Sequence, residues 1–389
     1  MKPKGVVVIG GHINGLGIIR AFAASGIPAG VILTKPYDIA HYSRHASGYE
    51  TAFKMAEQPD ELEEALKRRS AQWKGWALFP SNDEALAALA RNRQRLESEY
   101  LVLAPPAELI PYFLDKERML NVAQSIGIQV PVCYGPAVPD TAARPDIRYP
   151  VIVKPTVGHR FADRFGRKVF VAGNRAELAE AVSRAGRAGT PCRIFDVVPG
   201  ADNRVYCYCV YMNANGIPRA ECTIRKLRQS PAFFGVSRVA EISAHIPEVR
   251  EGIIAFLRKI GHRGIAVAEY KHDPRDNTFR FLEVNGRSVI YNSLLRRSGM
   301  DLARLAWSDQ VEGRTDAVAV GHWPGVWINL HADLLHSALK GRREGLRLKD
   351  FAGPYLRPKV EAVWSARDPK PFVAEWGKTL AMACRAVLP

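Results

Sequence analysis

The sequence predicts a multi-domain protein of mixed α/β and α+β class, and three observations predict it. An all-apolar run, VVVIGG at residues 6–11, opens into a glycine turn and an apolar-periodic segment, as a buried parallel strand does when it feeds a helix. Residues 264–287 read as two strands around the turn DPRDN, which is the pattern of an antiparallel hairpin. The length of 389 residues, 47% hydrophobic and 24% charged, suits two to three globular domains at about 150 residues each.

The elements follow in order. HINGLG and IIRAFAASG complete the first βα unit, which Gly26 closes; AGVILT (29–34) is a second strand, and residues 59–73 are helical with Leu62, Leu66 and Trp73 inward. WALFPSND (76–83) is a strand whose end opens into a polar loop before the helix DEALAALARNRQRLESE. Residues 1–110 are therefore an α/β domain with a parallel sheet, its crevice at the carboxyl ends of the strands. The turn spacing GGxxxGLG is not the dinucleotide fingerprint GxGxxG, and Lys35 stands where a ribose-binding carboxylate would be needed. A turn that presents backbone N–H groups to an anionic ligand is the better reading.

Pro105 and Pro106 break the chain, and residues 113–131 form a helix stopped by Gly127. In YPVIVKP (149–155), Lys154 ends an apolar strand, an expensive place for an ammonium unless an anion meets it. The basic, glycine-containing stretch 157–168 beside it suits a polyphosphate. RIFDVVPG (193–200) is a short strand and RVYCYCVYM (204–212) a long one, in which Cys207 and Cys209 share a face and pack. Arg225, Lys226 and Arg228 follow closely, but in a strand they cannot all face one ligand. Residues 141–230 hold sixteen Lys and Arg against seven Asp and Glu, so this part supplies over half of the net charge of +16.

With the hairpin centred near Asp276, Glu269 stands across from Glu283, and Asn285 joins them on the same face. Two opposed carboxylates on apolar strands repel unless a cation lies between them, and with an amide oxygen they are hard donors suited to magnesium. From about residue 321 an apolar helix near 330–339 and tryptophan-rich loops suggest a segment packed on the core, with His331 and His336 structural or exposed. Six cysteines without a CxxC pair, no signal-peptide cleavage pattern and no apolar run of about 18 residues point to a cytoplasmic protein without a membrane span. No Ser–His–Asp or Cys–His constellation is legible.

In this order, FLDKERM, PVIVKP, FDVVPGAD and AEYKHDPRDNTFRFLEVNGR resemble the ATP-grasp superfamily, and within it the carboxylate–amine ligases of carbamoyl-phosphate-synthase-like and D-aspartate-ligase-like type. The resemblance implies an ATP-grasp fold with a Rossmann-like N-terminal domain (1–110), a small lid domain with its linker helix (111–200), a domain bearing the metal site (201–320) and an extension (321–389). It implies ATP and Mg2+ as cofactors. Lys116 and Lys154 would touch ATP, with Lys168 as a third; Phe195, Asp196, Val197 and Val198 would be the adenine hinge, and Asp202 would meet the ribose. Glu269, Glu283 and Asn285 would hold magnesium, and Arg287, with one or more of Arg225, Lys226 and Arg228, would serve the transferred phosphate. The carboxylate and amine substrates would lie in the crevice of Gly10, Gly11, Asn14, Ser81, Asn82 and Asp83. The implied reaction is amide formation through an acyl phosphate. A homodimer is left open, and the net charge keeps a nucleic-acid-binding protein or a non-catalytic ATP-binding scaffold as alternatives.

Overall fold

The computed structural model describes residues 2–58, 60–156, 161, 165, 169–341 and 344–387, with side chains as far as Thr379. Three sheets organise them. The first contains β1 (Val6–Ile9), β2 (Ala29–Leu33), β3 (Ala46–Thr51), β4 (Ala77–Pro80) and β5 (Leu101–Val102), all parallel in the order β3-β2-β1-β4-β5. The apolar run of β1 is explained by burial on both faces. Val6 and Val8 join the helix Ile13–Ala24 in one core, whereas Val7 and Ile9 meet Leu62, Leu66 and Trp73 in another. Strand order reverses between β1 and β4, which opens the crevice where their carboxyl ends meet.

The second sheet is antiparallel: β6 (Cys133–Pro136), β7 (Val151–Pro155), β8 (Phe170–Ala172) and β9 (Cys192–Asp196), in the order β6-β9-β7-β8. Val151, Val153 and Ile194 pack beneath Leu178, Val182 and Ala185 of the helix Arg175–Arg187. Alternation then leaves Lys154 on the opposite face of β7.

The third sheet comprises β10 (Val205–Met212), β11 (Pro218–Ser230), β12 (Val236–Ser243), β13 (Gly264–Asp273), β14 (Thr278–Asn285), β15 (Val326–Ile328) and β16 (Lys359–Glu361). Its order is β14-β13-β10-β11-β12-β15-β16, antiparallel except for the last pair. One face, with Ala266, Ala268, Tyr270, Phe281 and Val284, is covered by the helix Pro247–Lys259. The other, with Cys207, Cys209 and Val267, shares the core of the helix Ile13–Ala24 and is where the charged residues gather. The segment beyond residue 321 adds two strands to this sheet, and its last helix, Lys370–Val387, returns to the first sheet's loops, where Lys378 Nζ donates to the Tyr37 and Asp38 carbonyls. Among the described residues no helix is long and apolar enough to cross a membrane.

Candidate active site

Glu269 and Glu283 are register partners. The strands leave the turn with Asp273 opposite Thr278 and Tyr270 opposite Phe281, a register in which Leu282 would face Glu269. A bulge between Glu269 and Tyr270 absorbs one residue of β14 and brings Glu283 into that place. It also explains the burial pattern. Phe281 and Val284, three apart, both reach the core under the helix Pro247–Lys259, while Glu283 and Asn285 stay on the other face. The pair read from the sequence is right, but the hairpin centre lies half a residue before Asp276 and the bulge makes up the difference.

Four cationic groups meet these acids. Lys226 Nζ donates to Glu269 Oε2 at 2.6 Å and to Gln229 Oε1 at 3.1 Å. Lys116, the first residue of the helix Lys116–Ser125 that Asp115 caps through the amides of Glu117 and Arg118, reaches Glu283 Oε2 at 3.1 Å. Lys154 stands within hydrogen-bond reach of Lys116. Burial and the adjacent Lys116 ammonium pull Lys154 down to about 7. Burial opposes the charge of Lys116 and of Lys226 as well, but Glu283 and Glu269 respectively outweigh it and hold both above the ordinary lysine value. Arg287 donates to Asp83 Oδ1 at 2.7 Å and to Asn285 Oδ1 at 3.2 Å, tying the first sheet's crevice to the hairpin. A lysine pushed toward neutrality beside a second ammonium is a position that an incoming polyanion would relieve.

The crevice residues do converge, but largely on one another. Asn14 Nδ2 donates to the carbonyls of Ser81 and Ser288, and its Oδ1 accepts from Ser288 Oγ and Asn292 Nδ2. Ser81 Oγ donates to the Gly10 carbonyl, and Asn82 caps the next helix by accepting from the Ala85 amide. In the turn expected to present N–H groups to an anion, the Gly11 amide donates to Asp38 Oδ2 at 2.9 Å. The glycines are explained by packing. Gly10 has φ +96°, and a Cβ there would meet Ser81 Oγ at 2.3 Å; one on Gly11 would meet Leu33 at 2.7 Å.

Several other expected site residues are differently employed. Arg228 is buried and bidentate on Asp333, at 2.9 and 2.5 Å, and stacks near Phe351 and Tyr355; Arg225 is held by Glu241. Neither is free for the transferred phosphate, because β11 turns them away from Glu269 and only Lys226 faces it. Asp196 accepts from the Val132 amide and from Arg275, and Asp202 from the Gln229 and Phe233 amides, so both carboxylates brace the backbone. Phe195 and Val198 are buried, and the Val197 amide donates to the Pro150 carbonyl at the junction of β9 with the third sheet. Lys168 lies outside the described residues. His331 is buried against Glu375, a partner that sequence reasoning missed because 44 residues separate them.

Comparison with known proteins bears on this arrangement. No family model matches the chain. It is 29% identical over 172 residues to a D-aspartate ligase from Enterococcus faecium (strain Aus0004), a match that spans 42% of this chain and 40% of that ligase's length. Its structure superposes on N5-carboxyaminoimidazole synthetase from Staphylococcus aureus complexed with ADP, with TM-score 0.66, 14% identity and 89% of this chain and 87% of the other covered. The chain has the ATP-grasp fold. Biotin carboxylase from Campylobacter jejuni shows the same ATP-grasp architecture at TM-score 0.64 and 19% identity, over 82% of this chain and 74% of that one. L-amino acid ligase from Bacillus licheniformis does so at 0.63 and 15%, over 80% and 76%. In ATP-grasp terms, β7 with Lys154 belongs to the smaller antiparallel sheet, and the Glu269–Glu283 hairpin to the larger one.

Proposed function

We propose that this protein is an ATP-dependent carboxylate–amine ligase that forms an amide through an acyl phosphate and releases ADP and phosphate. The observation that carries the reading is the facing of Glu269, Glu283 and Asn285 by Lys116, Lys154 and Lys226. Two carboxylates and an amide oxygen on one strand face fit Mg2+, which binds through one or two carboxylates plus phosphate oxygens. Bound there, the ion would neutralise charge on the phosphates as an anionic carboxylate approaches.

Lys154 from the smaller sheet and Lys116 from the start of the helix Lys116–Ser125 hold the phosphates, and the strand end Phe195–Val198 lies against the base. Lys226, now paired with Glu269, and Arg287, at the border of the crevice, are the cations that would meet the transferred phosphoryl group and the carbonyl that accepts it. The substrate carboxylate supplies the first nucleophile and the amine the second. The resemblance to D-aspartate ligase makes amino acids, D-aspartate first, the carboxylates to test. In this reading residues 1–110 and the hairpin enclose the substrates, residues 111–200 cover ATP, residues 201–320 carry the metal donors, and residues 321–389 are an extension. The five described cysteines are unpaired, which supports a reducing cytoplasm.

The test is amine-dependent ADP release over a panel of acids and amines, with Lys154→Met and Glu283→Gln alongside. The first should weaken the thermal shift that MgATP gives the wild type, and the second should keep the shift but remove most turnover. MgATP shifts identical in wild type and Lys154→Met would sink the nucleotide assignment.

A further inference from the structure

The crevice contains one cluster that the metal hairpin does not use. His12 follows the glycine turn as the N-cap of the helix Ile13–Ala24, and its side chain makes no capping hydrogen bond. Its Nε2 lies 3.7 Å from Glu375 Oε1 on the last helix, and the same oxygen is 3.0 Å from His331 Nε2. Glu375 and His331 are each only 7% exposed, whereas the His12 side chain is 45% exposed at the crevice mouth. Among the described residues the buried His331 Nδ1 has no hydrogen-bond partner. Burial opposes ionisation of Glu375, but its two imidazole partners pull its carboxyl down to about 2.

A structural strut would not need this chemistry. The neighbouring connection between the same parts of the chain is built from Arg20 and Asp368, a pair whose cation does not titrate. Here the partner groups are two imidazoles, which have an acceptor nitrogen that a guanidinium lacks. Among the described residues, the Tyr37 ring stands edge-on to His12 at 5.8 Å, and Lys378, near Glu375, donates its Nζ to the Tyr37 and Asp38 carbonyls. The position fits the second half-reaction. His12 is two residues from Asn14, which is bonded to the Ser288 carbonyl, and Ser288 follows Arg287. The cluster therefore sits where the chain leaves the carboxyl end of β1, two residues before the Asn14 that lines the crevice.

We propose that His12, oriented by Glu375, is the proton acceptor for the attacking amine. The inference rests on the ligase reading above. With Nε2–H turned toward Glu375, Nδ1 is the imidazole's remaining acceptor. One proton of the substrate ammonium passes to Nδ1, and the freed electron pair forms the C–N bond at the acyl-phosphate carbonyl. The C–O bond to phosphate breaks with its pair, and the phosphate carries away the nitrogen's second proton.

Hydroxylamine separates this role from a structural one, because its nitrogen is uncharged at neutral pH and needs no proton acceptor before it attacks. Wild type, His12→Asn and Glu375→Gln are assayed with amino acids, D-aspartate first, for amide formation with amines and hydroxamate formation with hydroxylamine. In His12→Asn, amide formation should fall on the order of 10²-fold while hydroxamate formation stays within about threefold. The acidic limb of the amine kcat/KM profile should disappear, and Glu375→Gln should show a smaller loss of the same kind. Equal losses in both reactions, or no loss in either, overturn the assignment of His12. Absence of both ADP release and hydroxamate in the wild type overturns the ligase reading, and the inference with it.

Discussion

Asp333 tests most directly how the arginines beside the site are used. It is fully buried, and its carboxylate accepts from Arg228 at 2.9 and 2.5 Å, from Arg238 at 3.1 Å and from the Tyr355 hydroxyl at 2.7 Å. Asp333→Asn keeps the shape and removes the one charge shared by two guanidinium groups, which are 6% and 3% exposed. Breaking a buried ion pair costs about 3–5 kcal/mol, because the remaining charge stays desolvated without a partner. At about 2–4 °C per kcal/mol for a large domain, the melting temperature should drop by roughly 10 °C. Arg228→Met should cost far less, since Asp333 keeps Arg238 and Tyr355, and should leave amine-dependent ADP release near wild type. Both variants are measured by differential scanning calorimetry and by ADP release at a temperature where each is folded. A shift under about 2 °C for Asp333→Asn would refute the buried-charge argument. Loss of turnover in a fully stable Arg228→Met would return Arg228 to the phosphate site.

Lys226→Met removes the buried ammonium that faces Glu269 and should lower turnover on the order of 10²-fold with the fold retained by circular dichroism; near wild-type turnover would exclude it from the site. Glu375 sets a pH limit. Its folded value lies below the unfolded one, so its contribution is complete above the ordinary carboxylate range and is lost as pH falls from about 4.5 toward about 2. Acid unfolding of Glu375→Gln, followed by tryptophan fluorescence, should accordingly be less steep over that window, and an unchanged transition would contradict the pairing. Gly11→Val should lower the melting temperature, because its side chain would enter space held by Leu33 and Asp38; a pure KM effect at unchanged stability would instead show that the glycine serves a substrate.

Much of the architecture is local in origin and so was legible before any coordinates. The βα unit at residues 6–24 follows from an apolar run, a glycine turn and helical periodicity. The hairpin follows from two strands with turn residues between them, and alternation placed Lys154 away from its own core. The expected single helix over 113–131 is interrupted at Asp115, whose cap makes Lys116 the first residue of a new helix and points it at Glu283. That division is also local, and the DKE sequence carries the signal for it.

The sequence by itself determined the element types, the acid pair and the strand-end lysine, because each depends on the period of a strand or helix and on neighbours a few residues away. Only the tertiary structure decided which charges are spent on one another. Arg228 and Asp333 are 105 residues apart, Lys226 and Glu269 are 43 apart, and Arg287 meets Asp83 across 204. No periodicity records such pairings, since they arise where separate sheets are packed together. The same packing filled the space around Gly10 and Gly11 and set Glu375 against His12. A buried charge must find its partner wherever the fold brings one, and that place is fixed only when the sheets have met.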